Sequence, residues 1–442
     1  MDVPSYLRPI EQVLTNSLPL LGSVQVKSSN SNHVRFMLVS THAHQYTGYS
    51  KVSHGILQQL SKVPNVDLIH FGFQKHPQVA PDFRPYPSNV DVIDAGALEN
   101  PVEQGFGYKA LTEVIKKKNP HVIMIYNDMA VVARFLEEIR KTAVVPRPYK
   151  IWVYCDQVYD CQHQGMIDIL NRDCDRIFAF TSYWKKQLKE QGVTRPLSVL
   201  GHGFDPKTFF TVPKDLARKS LKLPEDAFVI MSLNRNQPRK RYDIMIMAFV
   251  ELVVKYPTKP IVLLCICDKG EKGGWWLFEI FVRELKRKGV SIEQYGNRLM
   301  ISSQDMAFKD EDVNVLYNVA DLGISTADGE GWGLCTFEQM GVGIPQVVPD
   351  IGGYKEYCSS SNSMIVKPKH RYYLPSVYSI VGGEAQVCDP HDVCLAIEEY
   401  VNDSEKLRAH GQKAKDTVVT YTWERATKDL VKALKDEVEE LD

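Results

Sequence analysis

The chain has 442 residues, of which 44% are hydrophobic and 24% charged, and its 53 basic and 54 acidic residues give a formal net charge of -1. At about 150 residues per domain, this length accommodates two or three domains with sizeable cores, which excludes a disordered or fibrous protein. The missing basic surplus argues against a dedicated nucleic-acid-binding protein and favours one that acts on small molecules.

The first part of the chain gives an expectation about location. Residues 1–21 lack the basic start and apolar core of a signal peptide, and the sequence contains no run of 18 apolar residues. The nine cysteines are scattered and form no CxxC pair, so we expect free thiols in a reducing compartment. We therefore expect a cytoplasmic protein.

The first half of the chain alternates between buried strands and amphipathic helices. Residues 1–32 are predicted to form an irregular arm, and the alternation starts after them. Strands are predicted at 34–40, 66–73, 90–95, 121–126, 151–155, 176–180 and 197–200, with helices at 50–62, 129–141 and 183–191 among those between them.

The same pattern starts again in the second half. Nearly continuous apolar strands that alternate with helices predict parallel sheets covered on both faces, and two such series predict two doubly wound α/β domains. We expect an arm at 1–32, a first domain at 33–207, a second at 208–420 and a closing helix at 421–442. The second series has strands at 228–233, 261–266, 299–302, 322–325 and 346–348, and helices at 242–255, 275–288, 310–320, 336–341 and 423–441.

Ligands of parallel sheets bind where strands end, so the cleft between the two sheets is the expected site. A glycine-rich segment that contains Glu330 follows the predicted strand at 322–325, and Glu338 lies eight residues further on, in a predicted helix. Both carboxylates can accept hydrogen bonds from sugar hydroxyls, and the helix start favours an anion. The alternative is a tight connection with two solvated carboxylates.

Cations follow the first strand of the second domain. Arg235 and Lys240 lie five residues apart across Pro238, directly after the strand at 228–233. An arginine can bind a diphosphate in bidentate fashion, and a lysine adds a point charge. The alternative is a solvated basic loop.

Other motifs in the sequence give weaker indications of a functional site. Gly48, after the first strand, lets the backbone approach a phosphate, whereas His42 and His44 lack a third partner for a metal. Asp173 and Asp175 imitate a DxD metal motif but precede a strand, at the wrong end of the sheet, so a surface turn is expected. The sequence has no GxxxxGK[ST] loop, and no GxGxxG follows the first strand, which disfavours P-loop and dinucleotide-dependent enzymes.

Taken together, these motifs resemble the retaining GT-B glycosyltransferases of family 4, the glycosyl transferases group 1. The E-x7-E signature of that family matches Glu330 and Glu338, and its phosphate-binding pair matches Arg235 and Lys240. Residues 202–205 (HGFD) resemble its HGVD linker, and residues 181–184 (TSYW) resemble a typical helix start of the family.

The resemblance implies a GT-B fold, in which two Rossmann-like domains face each other across a cleft and the last helix crosses back to the first domain. It also implies a retaining transfer of a sugar from a nucleotide-sugar donor, such as a UDP- or GDP-sugar, to a carbohydrate or glycoconjugate acceptor. The donor binds mainly the second domain and the acceptor binds the first. Neither a metal nor a cofactor is expected.

The resemblance also assigns roles to residues. Glu338 would bind the ribose, Glu330 would lie near the transferred sugar, and Gly48 would face the diphosphate. Arg235 and Lys240 would neutralise the diphosphate, helped by the helix start near Thr336. Contacts of the backbone with the sugar or its phosphate would come from Gly331, Trp332, Gly333 and Leu334.

One departure from the family concerns the strand at 151–155. Many members continue there with a His-Asp pair, whereas this chain has Cys155 and Asp156. Asp156 is therefore a weak catalytic candidate. The departure also supports an alternative, a non-catalytic protein that binds nucleotide sugars or glycans, while a nicotinamide-dependent oxidoreductase is a third and less favoured hypothesis.

Basic residues of the first domain suggest one more partner. Residues 116–118 are three lysines, and Lys185, Lys186 and Lys189 share a predicted helix face. Such lysines can contact an anionic membrane that carries a lipid acceptor, although a solvated surface is the favoured interpretation.

Overall fold

The computed structural model describes residues 33–80, 82–143, 146–268, 273–302, 307–376 and 380–441, so the arm predicted at 1–32 lies outside the described residues. The chain forms two compact units. The first contains the residues up to Gly203 together with 373–384 and 423–442, and the second contains 204–372 and 385–422.

The first unit is built on a parallel sheet of seven strands in the order β3-β2-β1-β4-β5-β6-β7. Each run predicted as a strand in this half of the chain is one. The inner strands are buried on both faces of the sheet, whereas the two outer strands, at 90–94 and 197–199, are only partly buried. The strands are β1 (Val34–Thr41), β2 (Val66–Phe73), β3 (Val90–Asp94), β4 (Val122–Asp128), β5 (Lys150–Asp156), β6 (Arg176–Ala179) and β7 (Leu197–Val199).

Helices connect these strands. The first begins at Gly48, two residues before its predicted start, because the Thr47 and Ser50 side chains form a capping box. Its predicted apolar face is buried. The helices are α1 (Gly48–Leu60), α2 (Tyr108–Lys118), α3 (Met129–Thr142), α4 (Gln164–Asp173) and α5 (Ser182–Glu190).

The second unit repeats the architecture with six parallel strands in the order β10-β9-β8-β11-β12-β13. Its strands are β8 (Phe228–Leu233), β9 (Ile261–Ile266), β10 (Leu299–Ile301), β11 (Leu322–Ile324), β12 (Gln346–Pro349) and β13 (Ser363–Val366), and a separate pair is formed by β14 (His370–Tyr373) and β15 (Glu384–Val387).

The helices of the second unit cover its sheet. The core lies between the strands and the three helices at 242–255, 277–287 and 390–402. The helices are α6 (Lys214–Ser220), α7 (Tyr242–Lys255), α8 (Leu277–Arg287), α9 (Ile292–Tyr295), α10 (Asp310–Asn318), α11 (Leu334–Gly341), α12 (Pro390–Asn402) and α13 (Ser404–Val418).

The closing helix returns to the first unit, as the resemblance implied. It is two helices rather than the single predicted one, α14 (Trp423–Ala426) and α15 (Lys428–Leu441). The two helices meet at Thr427, whose hydroxyl donates to the Trp423 carbonyl at 2.7 Å and whose N–H donates to the same carbonyl at 3.0 Å. Leu430 and Leu434 are buried in this unit.

None of the helices in the described ranges is both long and apolar enough to cross a membrane.

Candidate active site

The second sheet reverses its strand order between β8 and β11, which lie side by side with Ile230 opposite Leu322. In open parallel sheets, ligands bind beyond the carboxyl ends of the strands at such a reversal. The segments that leave these two strands, residues 234–241 and 325–333, are the two that the sequence analysis selected. They meet at the expected place within the second unit.

Backbone hydrogen bonds fix the two segments against each other. Pro238–Lys240 form one 3₁₀ turn, and Arg241 ends it in the left-handed conformation with φ 48°. The Thr326 hydroxyl donates to the Arg241 carbonyl at 2.9 Å, and the Asp328 N–H donates to the Arg239 carbonyl at 2.9 Å. The side chains of Arg239 and Lys240 therefore leave from a constrained backbone.

Arg239, Lys240 and Glu330 form a compact charged group, which we call the Glu330 cluster. Lys240 Nζ lies 2.5 Å from Glu330 Oε2, and Arg239 Nη1 lies 3.2 Å from the same oxygen. Arg239 Nη1 also donates to the Gly329 carbonyl at 3.1 Å. The Lys240 and Glu330 side chains are each only 9% exposed. Two cations thus share one buried carboxylate.

The electrostatics of the cluster fix the charge of the carboxyl group. Burial would raise the pKa of Glu330, but Lys240 and then Arg239 bring that pKa below its ordinary value. Burial and the charge of Arg239 lower the pKa of the Lys240 ammonium, against the opposing effect of Glu330. Glu330 is therefore a carboxylate at neutral pH, able to orient cations or accept hydrogen bonds but not to donate a proton.

The two cations selected from the sequence are placed differently. Lys240 is buried in the Glu330 cluster, whereas Arg235 occupies an exposed position. Arg239, which the sequence analysis did not select, lies beside Lys240 instead. The run Pro-Arg-Lys-Arg offers three consecutive cations, and its spacing alone does not indicate which of them point inward.

The glycine loop is held by two tyrosines. Tyr357 donates to the carbonyls of Trp332 at 2.7 Å and Gly333 at 2.9 Å, and Gly333 has a φ of 83°. A Cβ on Gly333 would lie 2.4 Å from the Tyr354 ring. Glycine is therefore required there by both conformation and space. The loop leads directly into α11 at Leu334, whose first N–H groups favour an anion.

The other predicted residues of this loop and helix are mostly buried. The Trp332 ring packs against Phe337 and Tyr357, so only its backbone is suited to a ligand. Thr336 is buried, and Glu338 Oε2 accepts a hydrogen bond from the Tyr317 hydroxyl at 2.8 Å. The sequence analysis missed Tyr317, because it lies on α10 and no motif links it to Glu338.

Gly48 and Asp156 lie in the first unit. Gly48 is the exposed first residue of α1, and the next residue, Tyr49, donates its hydroxyl to Asp156 Oδ2 at 2.7 Å. Asp156 ends β5, and the preceding Cys155 is buried in the strand, where burial raises the pKa of its thiol to about 12. The structure thus pairs the weak candidate Asp156 with a tyrosine that the sequence analysis did not select.

A cluster of imidazoles and a phenol in the same unit combines His70 of β2 with His42, which follows β1, and with Tyr86. His70 accepts or donates at both ring nitrogens, 3.0 Å from Ser40 Oγ and 3.0 Å from the Tyr86 hydroxyl. Burial lowers the pKa of His70 to about 3, and burial, followed by the neighbouring His44, lowers that of His42 to about 4. These side chains are therefore neutral at pH 7.

The DxD motif is structural, but the expected surface turn is wrong for Asp173, which is buried at the end of α4. Asp173 accepts hydrogen bonds from the Arg172 guanidinium at 2.9 and 2.7 Å, and Asp175 is held by Arg147 and by the Ile151 N–H. Within the described ranges, no three His, Cys, Asp or Glu side chains are grouped as metal ligands.

Residues 213–372 match the protein family described as glycosyl transferases group 1, a segment that includes the Glu330 cluster and Glu338. The D-inositol 3-phosphate glycosyltransferase 2 of Catenulispora acidiphila is 24% identical over 254 residues, which are 56% of this chain and 53% of that protein. The corresponding enzyme of Corynebacterium urealyticum is 26% identical over 219 residues, 49% of this chain and 44% of that protein. The chain spans about half the length of these relatives. The predicted similarity to the glycosyl transferases group 1 is confirmed for residues 213–372.

Solved structures with this fold cover most of the chain. HepE from Anabaena in complex with UDP-glucose has a TM-score of 0.67 at 14% identity and covers 91% of this chain and 100% of its own. Sucrose-phosphate synthase from Thermosynechococcus elongatus has a TM-score of 0.67 at 15% identity, with coverages of 92% and 99%. These similarities confirm the predicted fold class of two Rossmann-like domains.

Proposed function

From the match of residues 213–372 to glycosyl transferases group 1, we propose that this chain is a glycosyltransferase that moves a sugar from a nucleotide-sugar donor to an acceptor hydroxyl. The observation that supports this most is the Glu330 cluster, which holds two cations against one buried carboxylate at the reversal of a parallel sheet. An arginine and a lysine side by side suit a phosphate anion, and the diphosphate of a nucleotide sugar is one.

The donor is proposed to bind the second unit. Lys240 neutralises the diphosphate together with Arg235, and Glu338 binds the ribose hydroxyls. The remaining donor contacts come from the backbone of Gly331, Trp332, Gly333 and Leu334 and from the helix start near Thr336.

The chemical step breaks the bond between the anomeric carbon and the phosphate oxygen. Positive charge grows on the sugar while negative charge grows on the leaving diphosphate, and fixed cations stabilise the latter without reorganisation. Glu330, an ionised carboxylate in contact with Lys240, orients the sugar and the cations rather than protonating the leaving group.

The proposal includes two finer features. The leaving phosphate accepts the proton of the incoming hydroxyl on the same face of the sugar, so the anomeric configuration is retained. The cations of residues 235 and 240 carry out the charge neutralisation that a metal ion performs in other enzymes, so transfer proceeds without a metal.

The acceptor is proposed to be a carbohydrate or glycoconjugate that binds the carboxyl edge of the first sheet. Asp156, held by Tyr49 at 2.7 Å, offers an acceptor for a sugar hydroxyl. The neutral imidazole of His42, which precedes Tyr49 in the chain, suits an uncharged polyol better than an anion.

A binding assay tests the donor. We would measure the melting temperature with UDP, GDP, ADP and their glucose and mannose derivatives, and compare the wild type with Lys240→Gln and the surface control Lys219→Gln. One nucleotide series is expected to stabilise the wild type and Lys219→Gln but not Lys240→Gln. No shift with any nucleotide would contradict the proposal.

A turnover assay separates catalysis from binding alone. The nucleotide sugar selected by binding is expected to be hydrolysed slowly without acceptor and transferred to a carbohydrate in its presence, with the same anomeric configuration by NMR and the same rate in EDTA. Binding without any turnover would favour the alternative, a non-catalytic nucleotide-sugar or glycan-binding protein, which the cysteine at position 155 supports.

A further inference from the structure

The segment that leaves β1 carries two histidines on a firmly held backbone. The His42 N–H donates to the Phe73 carbonyl at 2.8 Å, and the His76 N–H donates to the His44 carbonyl at 2.9 Å. A Cβ on Gly72 would lie 2.6 Å from His42 Cδ2, so this imidazole packs directly on the backbone of β2. The two rings therefore leave from a backbone that neighbouring segments fix at both ends.

A backbone hydrogen bond sets the tautomer of His42. The His44 N–H donates to His42 Nδ1 at 3.0 Å, so Nδ1 carries no proton. Burial, followed by the neighbouring His44, lowers the pKa of His42 to about 4, so the ring is neutral at pH 7 and its one proton is on Nε2. His42 is only 3% exposed, and its Nε2 meets no hydrogen-bond acceptor in the part of the chain that the structure describes. This nitrogen is a donor held ready for a ligand.

His44 offers a second nitrogen. Its Nε2 is buried and has no hydrogen-bond partner among the described residues. Burial, followed by the charges of Lys75 and Arg84, lowers the pKa of His44, so this imidazole is also neutral at pH 7. A neutral imidazole keeps one lone pair and one N–H. The centroids of the His42 and His44 rings are 5.0 Å apart, so one small ligand can reach both.

The chemistry of the two nitrogens selects the kind of ligand. A carboxylate or a phosphate dianion only accepts hydrogen bonds, whereas a hydroxyl both donates and accepts, which suits the fixed N–H of His42 and the lone pair of His44. The nearby charges are engaged with the protein. Lys75 Nζ lies 3.5 Å from Asp94, and the Arg84 guanidinium donates to a backbone carbonyl at 3.0 Å and a serine hydroxyl at 2.6 Å.

We propose that His42 and His44 form a subsite for neighbouring hydroxyl groups of an uncharged polyol acceptor, to which His42 donates and from which His44 accepts. This inference rests on the proposed function and adds to it the residues that distinguish a hydroxyl from an anion. The competing explanation is that the imidazoles only pack against the Tyr86 ring, whose centroid lies 5.3 and 5.5 Å from theirs.

Nuclear magnetic resonance of the histidine rings tests this contact without requiring turnover. Long-range ¹H–¹⁵N spectra of the full chain would be recorded at pH 7 with glucose, mannose and galactose and with the 6-phosphate of each. His42→Asn assigns the His42 signals, because asparagine retains an oxygen for the His44 N–H but lacks Nε2. His391, with a side chain 60% exposed in the second unit, serves as the internal control.

The wild type is expected to show His42 with its proton on Nε2. At least one uncharged sugar is expected to shift the Nε2 signals of His42 and His44 but not those of His391, and its 6-phosphate is expected to shift them less. No shift with any sugar, or a larger shift with a 6-phosphate, would overturn the inference.

Kinetics then separates binding of the polyol from packing. With the sugar that shifts the signals as acceptor, His42→Asn is expected to raise its KM about 10-fold, since one hydrogen bond is lost, and to leave hydrolysis of the donor without acceptor unchanged. His44→Gln is expected to raise this KM less, and His391→Asn not at all. A lower melting temperature of His42→Asn with an unchanged KM would mean that the ring only packs.

The two experiments distinguish the inference from the proposed function. If the sugar shifted the His42 signals but no nucleotide sugar was turned over, the polyol subsite would stand and the proposed function would fall. If a nucleotide sugar was turned over and His42→Asn left the KM for the acceptor unchanged, the proposed function would stand and the inference would fall.

Discussion

The carboxyl edges of the two sheets carry opposite chemistry although their first six strands follow the same order. In the second unit the buried groups at this edge are charged, with Arg239, Lys240 and Glu330 in direct contact. In the first unit the buried groups are mainly neutral rings, including His42, whose low pKa keeps it uncharged at pH 7.

The difference shows how one architecture is divided between two tasks. An edge with buried cations is suited to an anion such as a diphosphate, and an edge of imidazoles and phenols is suited to hydroxyl groups. The proposed donor and acceptor correspond to these two edges. The comparison fails if substitutions of the charged groups in the second unit and of the polar groups in the first change donor and acceptor kinetics in the same way.

The largest effect is expected for Lys240→Gln. The substitution removes a cation that stabilises the leaving phosphate, so kcat is expected to fall about 10²- to 10³-fold, equivalent to roughly 3–4 kcal/mol. Steady-state kinetics would measure it. Lys219→Gln, on an exposed side chain of the same unit, is expected to retain full activity. Full activity in Lys240→Gln would show that the charged edge takes no part in the mechanism.

The neutral edge makes stability depend on pH. The folded pKa of His70 is about 3, below the ordinary 6.5, so protonation favours the unfolded chain. The contribution of His70 to the free energy of unfolding is complete above pH 6.5 and falls by about 1.4 kcal/mol per pH unit below it, or about 2 kcal/mol at pH 5.

Urea unfolding at pH 7.5 and pH 5 measures this contribution. The wild type is expected to lose more stability between the two pH values than His70→Gln does, by about 2 kcal/mol. Equal losses would mean that His70 is protonated in the folded protein and that this edge is not neutral.

A smaller effect is expected for Tyr317→Phe. The substitution removes the hydroxyl that donates a hydrogen bond to Glu338 Oε2 at 2.8 Å, which leaves the carboxylate less well positioned for a ribose. The affinity for UDP or GDP is expected to fall about 10-fold, and the discrimination against the 2′-deoxy nucleotide to fall with it. Tyr373→Phe, at a 75% exposed position, serves as the control. An unchanged discrimination would separate Glu338 from ribose binding.

The smallest effect is expected for Tyr49→Phe at the edge of the first sheet. Loss of its hydrogen bond to Asp156 is expected to lower the free energy of unfolding by about 1–2 kcal/mol and to raise KM for the acceptor more than KM for the donor. Denaturant unfolding and acceptor kinetics would measure this. A selective increase in KM for the donor would reverse the assignment of the two edges.

The repeated alternation of apolar strands and amphipathic helices determined the fold class. The continuous apolar runs at 66–73, 228–233 and 261–266 are strands with the predicted bounds, because a strand buried on both faces allows few polar residues. The strands β13, β14 and β15 were not predicted; β14, for example, has four exposed residues and no apolar run that would indicate a strand. The division of the closing helix at Thr427 was not predicted, because the apolar periodicity of the segment continues across that residue.

The residues of the candidate site also divide into those that the sequence indicated and those that only the structure revealed. The sequence by itself placed Lys240 and Glu330 in segments that follow strands, and Glu338 in the helix after the second of these segments, because residues that follow parallel strands gather at one edge of the sheet. Only the tertiary structure decided that Arg239 rather than Arg235 joins Lys240, and that Tyr317 and Tyr49 hold Glu338 and Asp156. Tyr49 and Asp156 are 107 residues apart in the chain, so their contact is set by packing between elements and not by any local pattern.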